Sequence, residues 1–384
     1  MRIVCAPDSF KESISALEAA HALADGVQAA LPDAVCDLVP MADGGEGTTE
    51  TLVDALDGTL VEMTAEDAIG RPRSVTYGYI PSRRLAVIEV ANTIGLAQIS
   101  PSERDAISAS SFGAGEMIRH ALNAGAENLI IGLGGSATTD GGAGWLTALG
   151  ARLLDADDND LPRGGDALRH LSRIDLSGLD QRLVNTHIEL ACDVDNPLVG
   201  PQGAAAVFGP QKGATPAQVV SLDHALTHLA DILEMTSGKA VRNVPGAGAA
   251  GGFGVPLLAF GKPSTRPGVE IVADAVGLAH TIAGADWVFT GEGSVDHQTL
   301  HGKTPMGVLQ LANANRVPTV VFGGRISDDA RPLLDAGAVA LVPIVRGVGD
   351  MADALANARQ NLSAAAEMVT RLIVAAQSHQ TSEK

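Results

Sequence analysis

Cysteine and long apolar runs are both scarce in this 384-residue chain. Its three cysteines, Cys5, Cys36 and Cys192, lie far apart and lack the spacing of metal ligands, so we predict neither a disulfide framework nor a zinc site. No apolar run approaches the roughly 18 residues that a membrane-spanning helix needs, and the apolar N-terminal segment is too short for a signal peptide. These absences predict a cytoplasmic protein with no membrane partner.

Positive charge is also scarce, because 26 Lys and Arg residues face 45 Asp and Glu residues and give a formal net charge of −19. Binding to nucleic acid requires a basic surface, so we expect no nucleic-acid partner. A surface this acidic also repels small anions in general. Any anion site must therefore be built locally, from lysines and backbone N–H groups.

Simple alternation of strand and helix is present at both ends of the chain. Patterns predict strands at 2–6, 34–40, 286–290, 317–322 and 338–344, and helices after Ser15, at 305–314, at 328–336 and from 350. The middle instead begins with three β-rich runs at 59–91, typical of an antiparallel meander. It continues with helices at 105–124, 142–153 and 216–235, strands at 128–133 and 187–192, and surface loops at 155–180.

These patterns predict a two-domain α/β protein. Residues 1–60 and 280–384 form a discontinuous, doubly wound parallel-sheet domain of flavodoxin-like or Rossmann-like type, and residues 61–279 form an inserted mixed α/β domain.

Polar and glycine-rich loops follow five of the predicted strands. In open α/β sheets, ligands bind beyond the carboxyl ends of strands, so these loops are the candidate site. A single carboxylate there is usually a helix cap, but five clusters together favour a functional site. The candidate residues in these loops are Asp8, Ser9, Lys11, Asp43, Glu46, Gly134, Gly135, Ser136, Thr138, Thr139, Asp140, Asp193, Asn196, Glu292 and Asp296.

The loop at 134–142 carries the strongest single signal. Its glycines allow the backbone to approach an anion, its hydroxyls add donors, and a helix N-terminus follows. We interpret it as a cradle for phosphate or carboxylate. The alternative is a tight turn whose glycines serve packing alone.

Three other patterns are rejected on their context. The run at 246–251 matches G-x-G-x-x-G but has no strand before it, so it does not predict a dinucleotide site. Lys303 and Thr304 resemble the end of a P-loop, yet His297 stands where that motif requires glycine. His224 and His228 are spaced like a metal pair, but they lie on the polar side of their predicted helix.

Lysines in loop contexts complete the candidate chemistry. Lys11, Lys212 and Lys303, together with the strand-end carboxylates, are the groups that phosphoryl transfer uses to hold phosphates, Mg²⁺ and an acceptor hydroxyl. The residues alone therefore predict a nucleotide or phosphate enzyme, without identifying the acceptor.

Six segments resemble the bacterial glycerate kinase family of type I, in order and from residue 1 to about 375. They are APDSFKES (6–13), ADGGEGT (42–48), GGSATTDGGAG (134–144), ACDVDNPL (191–198), FGPQKGA (208–214) and TGEGSVD (290–296). The resemblance implies ATP- and Mg²⁺-dependent phosphorylation of D-glycerate, at the 2-hydroxyl in most bacterial members, giving 2-phosphoglycerate. It also implies an active site in the cleft between two α/β domains, and it leaves open whether the chain forms a homo-oligomer.

Roles follow from this resemblance as hypotheses. Asp193 is the candidate base for the acceptor hydroxyl, and Lys11 is the second catalytic candidate. Lys303 and Lys212 join the loop residues above as partners of substrate or phosphate, with Glu292 and Asp296 as metal ligands. The chain departs from the family at Ser294, where a basic residue is more common, and at Asp195, where we expect a small polar residue.

Three alternatives stay open. They are a kinase for another small sugar acid, phosphorylation of glycerate at the 3-hydroxyl, and a non-catalytic metabolite-binding regulator on the same fold.

Overall fold

A computed structural model describes residues 1–347 and 349–382. The chain divides into two compact units. Unit 1 comprises Met1–Asp43, Glu50–Leu56 and the chain from Pro267 onward, and unit 2 comprises Gly44–Thr49 and Asp57–Arg266. Within the described ranges, no helix combines the length and the hydropathy needed to cross a bilayer.

The strands of the described chain are β1 Arg2–Cys5, β2 Val35–Leu38, β3 Thr59–Glu66, β4 Pro72–Ile80, β5 Leu85–Glu89, β6 Asn128–Gly132, β7 Arg152–Leu154, β8 Arg173–Asp175, β9 His187–Ala191, β10 Ser264–Arg266, β11 Trp287–Val295, β12 Thr319–Ile326 and β13 Ala338–Pro343. The α-helices are α1 Ala16–Ala30, α2 Thr48–Ala55, α3 Ala91–Ile94, α4 Phe112–Asn123, α5 Ala143–Ala148, α6 Ala204–Phe208, α7 Pro216–Ser237, α8 Val255–Phe260, α9 Gly268–Val276, α10 Leu278–Ile282, α11 Thr304–Ala314, α12 Pro332–Asp335, α13 Met351–Ala356 and α14 Ala358–Ser382.

The sheet of unit 1 is parallel throughout, with strand order β13-β12-β11-β1-β2. Successive side chains of a strand point to opposite faces, so each face carries its own core. On one face, Phe289 and Phe322 pack with Leu23 of α1 and Leu362 of α14. On the other, Val321 of β12 packs with side chains of α11 and α12. Helices thus cover both faces, which confirms the predicted doubly wound α/β sheet.

Strand β11 is longer than predicted. The sequence suggests a loop from Gly291, but the strand continues to Val295 and pairs with β12 along its whole length. The two glycines that suggest a loop serve close backbone approach instead: a Cβ at Gly291 would lie 2.3 Å from the carbonyl oxygen of Phe322, and one at Gly293 would lie 3.2 Å from the backbone nitrogen of Lys11. The prediction of a loop at 291–295 was therefore wrong.

The larger sheet of unit 2 is mixed, with strand order β10-β9-β6-β5-β4-β3. Strands β3, β4 and β5 form the antiparallel meander that the sequence predicts, whereas β5, β6, β9 and β10 run parallel. One continuous apolar core covers this sheet and includes Ile88, Ile131, Trp145, Leu226 and Phe253.

Helix boundaries agree best where a side chain caps the first turn. Capping boxes formed by Ser15 with Glu18 and by Thr215 with Gln218 begin α1 and α7, as predicted. The predicted helix at 105–124 begins only at Phe112, because the side chain of Asp105 accepts the N–H groups of Ile107 and Ser108 in a turn.

Other boundaries also differ from the prediction. The helix predicted at 142–153 ends at Ala148 and gives way to β7, which pairs with β8 inside the segment predicted as loops. The helix predicted at 328–336 is a 3₁₀ turn followed by α12, and the final helix divides into α13 and α14 at Asn357.

Asp140 anchors the glycine loop of unit 2 to the start of α4. Its side chain is fully buried and accepts hydrogen bonds from the backbone N–H of Ser111 at 2.7 Å, the hydroxyl of Ser111 at 2.9 Å, and the N–H groups of Gly142 and Gly144 at 3.1 Å each. Burial raises the pKa of Asp140, and these donors oppose the rise. The carboxylate holds the loop and two helix starts together.

We expect Asp140→Ala to destabilise the protein by roughly 3 kcal/mol, because four buried donors lose their acceptor. For a unit of this size the melting temperature should fall by roughly 6–12 °C. Glu127→Ala is the matched control, since that carboxylate is exposed and pairs with Arg84 at the surface, where ion pairs contribute little. Calorimetry on both variants checks the expectation, and equal melting temperatures would show that Asp140 does not hold this loop.

Candidate active site

A cavity of about 310 Å³ opens at the carboxyl ends of β6 and β9 in unit 2. The glycine loop after β6 lines one side with Gly134, Gly135 and Ser136. Lys212 and Asp193 face the same space, and its remaining lining comes from Gly44, Gly45, Leu96, Leu133, Ala191, Cys192, Val194, Phe208, Gln211, Ala249 and Ala250. We call this the unit-2 pocket.

Lys212 is the buried cation of the unit-2 pocket. Only 3 % of the residue is exposed, and its Nζ donates to the carbonyl oxygen of Thr138 at 2.6 Å and to the hydroxyl of Ser136 at 3.2 Å. Burial lowers the pKa of the Lys212 amine to about 7, although the negative charge of Asp140 opposes this effect. An ammonium has three donors, so the group can also bind an anion in the pocket.

Asp193 lies just beyond the last residue of β9 and is exposed to the unit-2 pocket. The preceding Cys192 is buried, and its Sγ donates to the carbonyl oxygen of Val194 at 3.2 Å. This contact fixes the turn on both sides of Asp193. A carboxylate held on the wall of a pocket that contains a lysine can accept a proton from a bound hydroxyl.

Several predicted residues of this region do not line the unit-2 pocket. Thr138, Thr139 and Asp140 are fully buried behind the loop, where Thr138 offers only its carbonyl oxygen to Lys212. Asn196 donates from Nδ2 to the carbonyl oxygen of Gln202 at 2.8 Å, and Glu46 is exposed. Of the loop predicted as a cradle, only residues 134–136 line the unit-2 pocket.

A second cavity, of about 510 Å³, lies in unit 1 and is called the unit-1 pocket. Its charged wall contains the predicted residues Asp8, Lys11, Asp43, Glu292 and Lys303, with Ser9 beside them. The lining also includes two further acidic residues, Glu12 and Asp350, and the apolar residues Phe10, Ile344, Val345, Met351, Ala354, Leu355 and Ala358. The first, second and eleventh strands thus bring their polar carboxyl ends to one pocket, as their parallel order requires.

Asp8 is held at the base of the charged wall by neutral donors. Its carboxylate accepts the hydroxyl of Thr304 at 2.6 Å and the backbone N–H of Ser9 at 2.6 Å. Burial raises the pKa of Asp8 to about 7, and the charge of Asp43 adds to this rise. The carboxylates of this wall therefore repel each other, which a bound cation would relieve.

Glu292 projects from the extended part of β11 and is also buried. It accepts the hydroxyl of Thr299 at 2.5 Å and lies 3.8 Å from Nζ of Lys303. Burial raises the pKa of Glu292, while the Thr299 hydroxyl and the Lys303 charge oppose the rise. Asp296, the other predicted metal ligand, does not line the pocket; it accepts the N–H of Gln298 at 2.8 Å and caps a short 3₁₀ helix.

Metal binding by protein groups alone is not supported in the described part of the chain, since no group of three His, Cys, Asp or Glu residues there could hold an ion. One or two carboxylates beside a site for phosphates remain the arrangement that Mg²⁺ uses most often.

Arg325 is a pocket residue that the sequence analysis missed. It lines the unit-1 pocket from β12, directly opposite Ser294 in the register of β11 and β12. The sequence predicted that this strand ends at 322, whereas β12 continues to Ile326. Arg325 therefore lies at the carboxyl end of a strand, as the other candidate residues do. Thr299 and Thr304, which hold Glu292 and Asp8, gave no signal because the pairings depend on the tertiary fold.

Two of the three rejected patterns, the glycine run and the histidine pair, have ordinary structural roles. Residues 246–251 form turns and a short 3₁₀ helix, with Ala249 and Ala250 on the wall of the unit-2 pocket. His224 is exposed on α7, whereas a ring nitrogen of His228 is 2.7 Å from the carbonyl oxygen of Leu171.

Comparison with known proteins identifies the family of the chain. The model of the glycerate kinase family matches residues 3–374. The chain is 46 % identical over 373 residues to a glycerate kinase of Bacillus subtilis, covering 97 % of this chain and 98 % of that protein. It is 42 % identical over 369 residues to glycerate 2-kinase of Escherichia coli, covering 96 % and 97 % respectively.

A solved structure shows the same fold. The crystal structure of a Salmonella typhimurium LT2 protein, provisionally named glycerate kinase 2, superposes with a TM-score of 0.91 at 46 % identity and covers 98 % of this chain and 99 % of the other. Family, relatives and structure agree over nearly the whole length, and the chain belongs to the glycerate kinase family.

Proposed function

We propose that this glycerate kinase transfers the γ-phosphate of ATP to the 2-hydroxyl of D-glycerate, with Mg²⁺, and gives 2-phosphoglycerate and ADP in the cytoplasm. The observation that carries the proposal is the charged wall of the unit-1 pocket, where Lys11 and Lys303 stand beside Asp8, Asp43 and Glu292. A kinase needs cationic side chains that bind phosphate and carboxylates that hold a divalent ion. The name of the Escherichia coli relative supports the 2-hydroxyl.

ATP is assigned to the unit-1 pocket. At about 510 Å³ the cavity is the larger of the two candidate sites, and part of its lining is apolar, as a nucleotide base requires. Lys11, Lys303 and Arg325 would contact phosphate oxygens, and Ser9 would add a donor. Arg325 would supply the positive charge that Ser294 lacks.

Glu292 and Asp43 would hold Mg²⁺ together with phosphate oxygens and water. The residues fit this ion, because Glu292 is a buried carboxylate that its surroundings make more basic and Asp43 lies on the same wall. When bound, Mg²⁺ neutralises charge on the transferring phosphate. Lys11 and Lys303, on the same wall, would also neutralise part of this phosphate charge.

Glycerate is assigned to the unit-2 pocket, whose volume of about 310 Å³ suits a three-carbon acid. Lys212 would bind the carboxylate, assisted by backbone N–H groups of residues 134–136. Asp193 would accept the proton of the 2-hydroxyl of glycerate. At the same time the hydroxyl oxygen would bond to the γ-phosphorus of ATP, and the bond between this phosphorus and ADP would break. The location of the active site in a cleft between domains stays a prediction.

We expect Asp193→Asn to lower kcat by about 100-fold or more, because the amide cannot accept the hydroxyl proton. The matched control is Asp195→Asn, which removes a charge two residues away from a side chain that is exposed and outside the pocket lining. Steady-state kinetics with ATP and glycerate measure both variants. If Asp193→Asn turned over at nearly the normal rate, another group would have to be the base.

We expect kcat/KM for glycerate to fall as the pH rises above about 7, because the Lys212 amine has a lowered pKa of about 7 and is charged only below it. The decline should approach about tenfold per pH unit. In Lys212→Met, kcat/KM should be low and lack this decline. Arg83→Met, which removes an exposed positive charge of unit 2 outside the unit-2 pocket, should keep it. A decline that persists in Lys212→Met would assign the titration to another group.

Phosphorus NMR of the product tests the reaction itself. With ATP, Mg²⁺ and D-glycerate we expect 2-phosphoglycerate and one ADP per product, and little turnover with longer sugar acids. A 3-phosphoglycerate signal would favour the 3-hydroxyl alternative, and a better substrate in a panel of acids would identify another acceptor. ATP hydrolysis that does not depend on added acid would count against the kinase, and the absence of turnover with every acid would favour the non-catalytic regulator.

A further inference from the structure

Unit 2 contains another cavity, of about 470 Å³, that shares no lining residue with the unit-2 pocket. It lies at the opposite end of β9 and beside the last turn of α8. Trp145, Leu183, Leu257 and Phe260 contribute apolar surface to it. We call it the β9 cavity. Its size is within the range of sites that bind small molecules.

The charges around the β9 cavity have one sign. The ammonium groups of Lys239 and Lys262 line it beside the imidazole of His187, and none of the described lining residues is Asp or Glu. This composition is unusual in a chain whose acidic residues outnumber its Lys and Arg residues by 45 to 26. The Nζ of Lys239 donates to the carbonyl oxygens of Gly261 at 2.9 Å and Leu258 at 3.4 Å, which holds the ammonium beside the end of α8.

The apolar and basic side chains of the lining indicate the chemical class of ligand that the cavity would bind. We infer that the β9 cavity is a regulatory site for an amphipathic anion, an apolar chain or ring that carries one carboxylate or phosphate. The apolar part packs against Leu183 and Phe260, which are partly exposed, while the anion contacts Lys262 and Lys239. A neutral or cationic molecule of the same shape lacks the attraction between the anion and the two lysines and binds more weakly.

Strand β9 connects this cavity to the unit-2 pocket. His187 and Ile188 line the β9 cavity, whereas Ala191 and the adjoining Asp193 line the pocket at the other end of the strand. The strand spans only about 13 Å. A second link is the indole of Trp145, which donates to the carbonyl oxygen of Phe253 at 2.8 Å, three residues beyond Ala250 of the pocket wall. We expect ligand binding at one end of this strand to change the affinity for glycerate at the other. That effect rests on the proposed position of glycerate, whereas the cavity's ligand class does not.

Fluorine NMR tests the site directly, because Trp145 and Trp287 are the two tryptophans of the chain. Full-length protein labelled with 5-fluorotryptophan is titrated with octanoate in the presence of saturating Mg²⁺, glycerate and a non-hydrolysable ATP analogue. A Trp287→Phe variant assigns the signals. We expect a saturable shift of the Trp145 resonance, an unchanged Trp287 resonance, and no comparable shift with octylammonium. Equal effects of octanoate and octylammonium, or none with octanoate, would overturn the site.

Lys262→Glu should weaken octanoate binding by about tenfold, because the charge beside the anion is reversed. Arg83→Glu makes the same change of charge at an exposed residue of unit 2 outside this cavity and should leave binding within about twofold. Unchanged binding in Lys262→Glu would overturn the anion contact.

Kinetics test the regulatory role separately. Saturating octanoate should change the KM for glycerate at least twofold in the unchanged protein and in Arg83→Glu, and the octanoate concentration that produces half of this change should be about tenfold higher in Lys262→Glu. Binding that leaves KM unchanged would overturn the regulation. If the proposed reaction itself were wrong, the protein would fail to phosphorylate glycerate even without octanoate. That failure can therefore be distinguished from a failure of the regulation.

Discussion

Desolvation of charged side chains at the carboxyl ends of parallel strands is the constraint on which both candidate sites depend. Asp8, Glu292 and Lys212 are all buried, and each is held mainly by neutral groups: hydroxyls for the two carboxylates, and a carbonyl and a hydroxyl for the amine. Dipoles offset the cost of burial without cancelling the charge. An opposite charge that enters the pocket therefore meets a strong field in a poorly hydrated space. This is how a protein of net charge −19 can attract small anions at one place.

Much of the fold was accessible from local patterns. Alternation of strands and helices predicted the parallel sheet, β-rich runs predicted the meander of β3 to β5, and capping residues fixed the starts of α1 and α7. The errors have a common origin. Gly291 was interpreted as a loop residue, yet its lack of a side chain serves contact with Phe322 on the neighbouring strand. A glycine gives the same local signal whether it allows a turn or a close approach.

The candidate site was predictable in outline and not in detail. Strand ends identified Asp8, Asp43 and Asp193 as members of pockets, because parallel order alone brings such ends to one edge of a sheet. The sequence could not separate these residues from Asp140, whose carboxylate faces backbone donors inside unit 2. Only packing distinguishes a carboxylate that supports a loop from one that faces a cavity. Lys212 shows the converse, since its burial and its lowered pKa depend on a loop more than 70 residues away in the sequence.

The register of β11 against β12 places Ser294 opposite Arg325 on the wall of the unit-1 pocket. A positive charge at that spot can thus be supplied from either of two strands, and its loss from one can be compensated by its gain on the other. The two backbones are one strand spacing apart, about 4.8 Å, so a long basic side chain on either strand can serve the same part of the pocket. The electrostatics of this wall therefore depend on the pair of positions together, and neither residue alone determines the charge there.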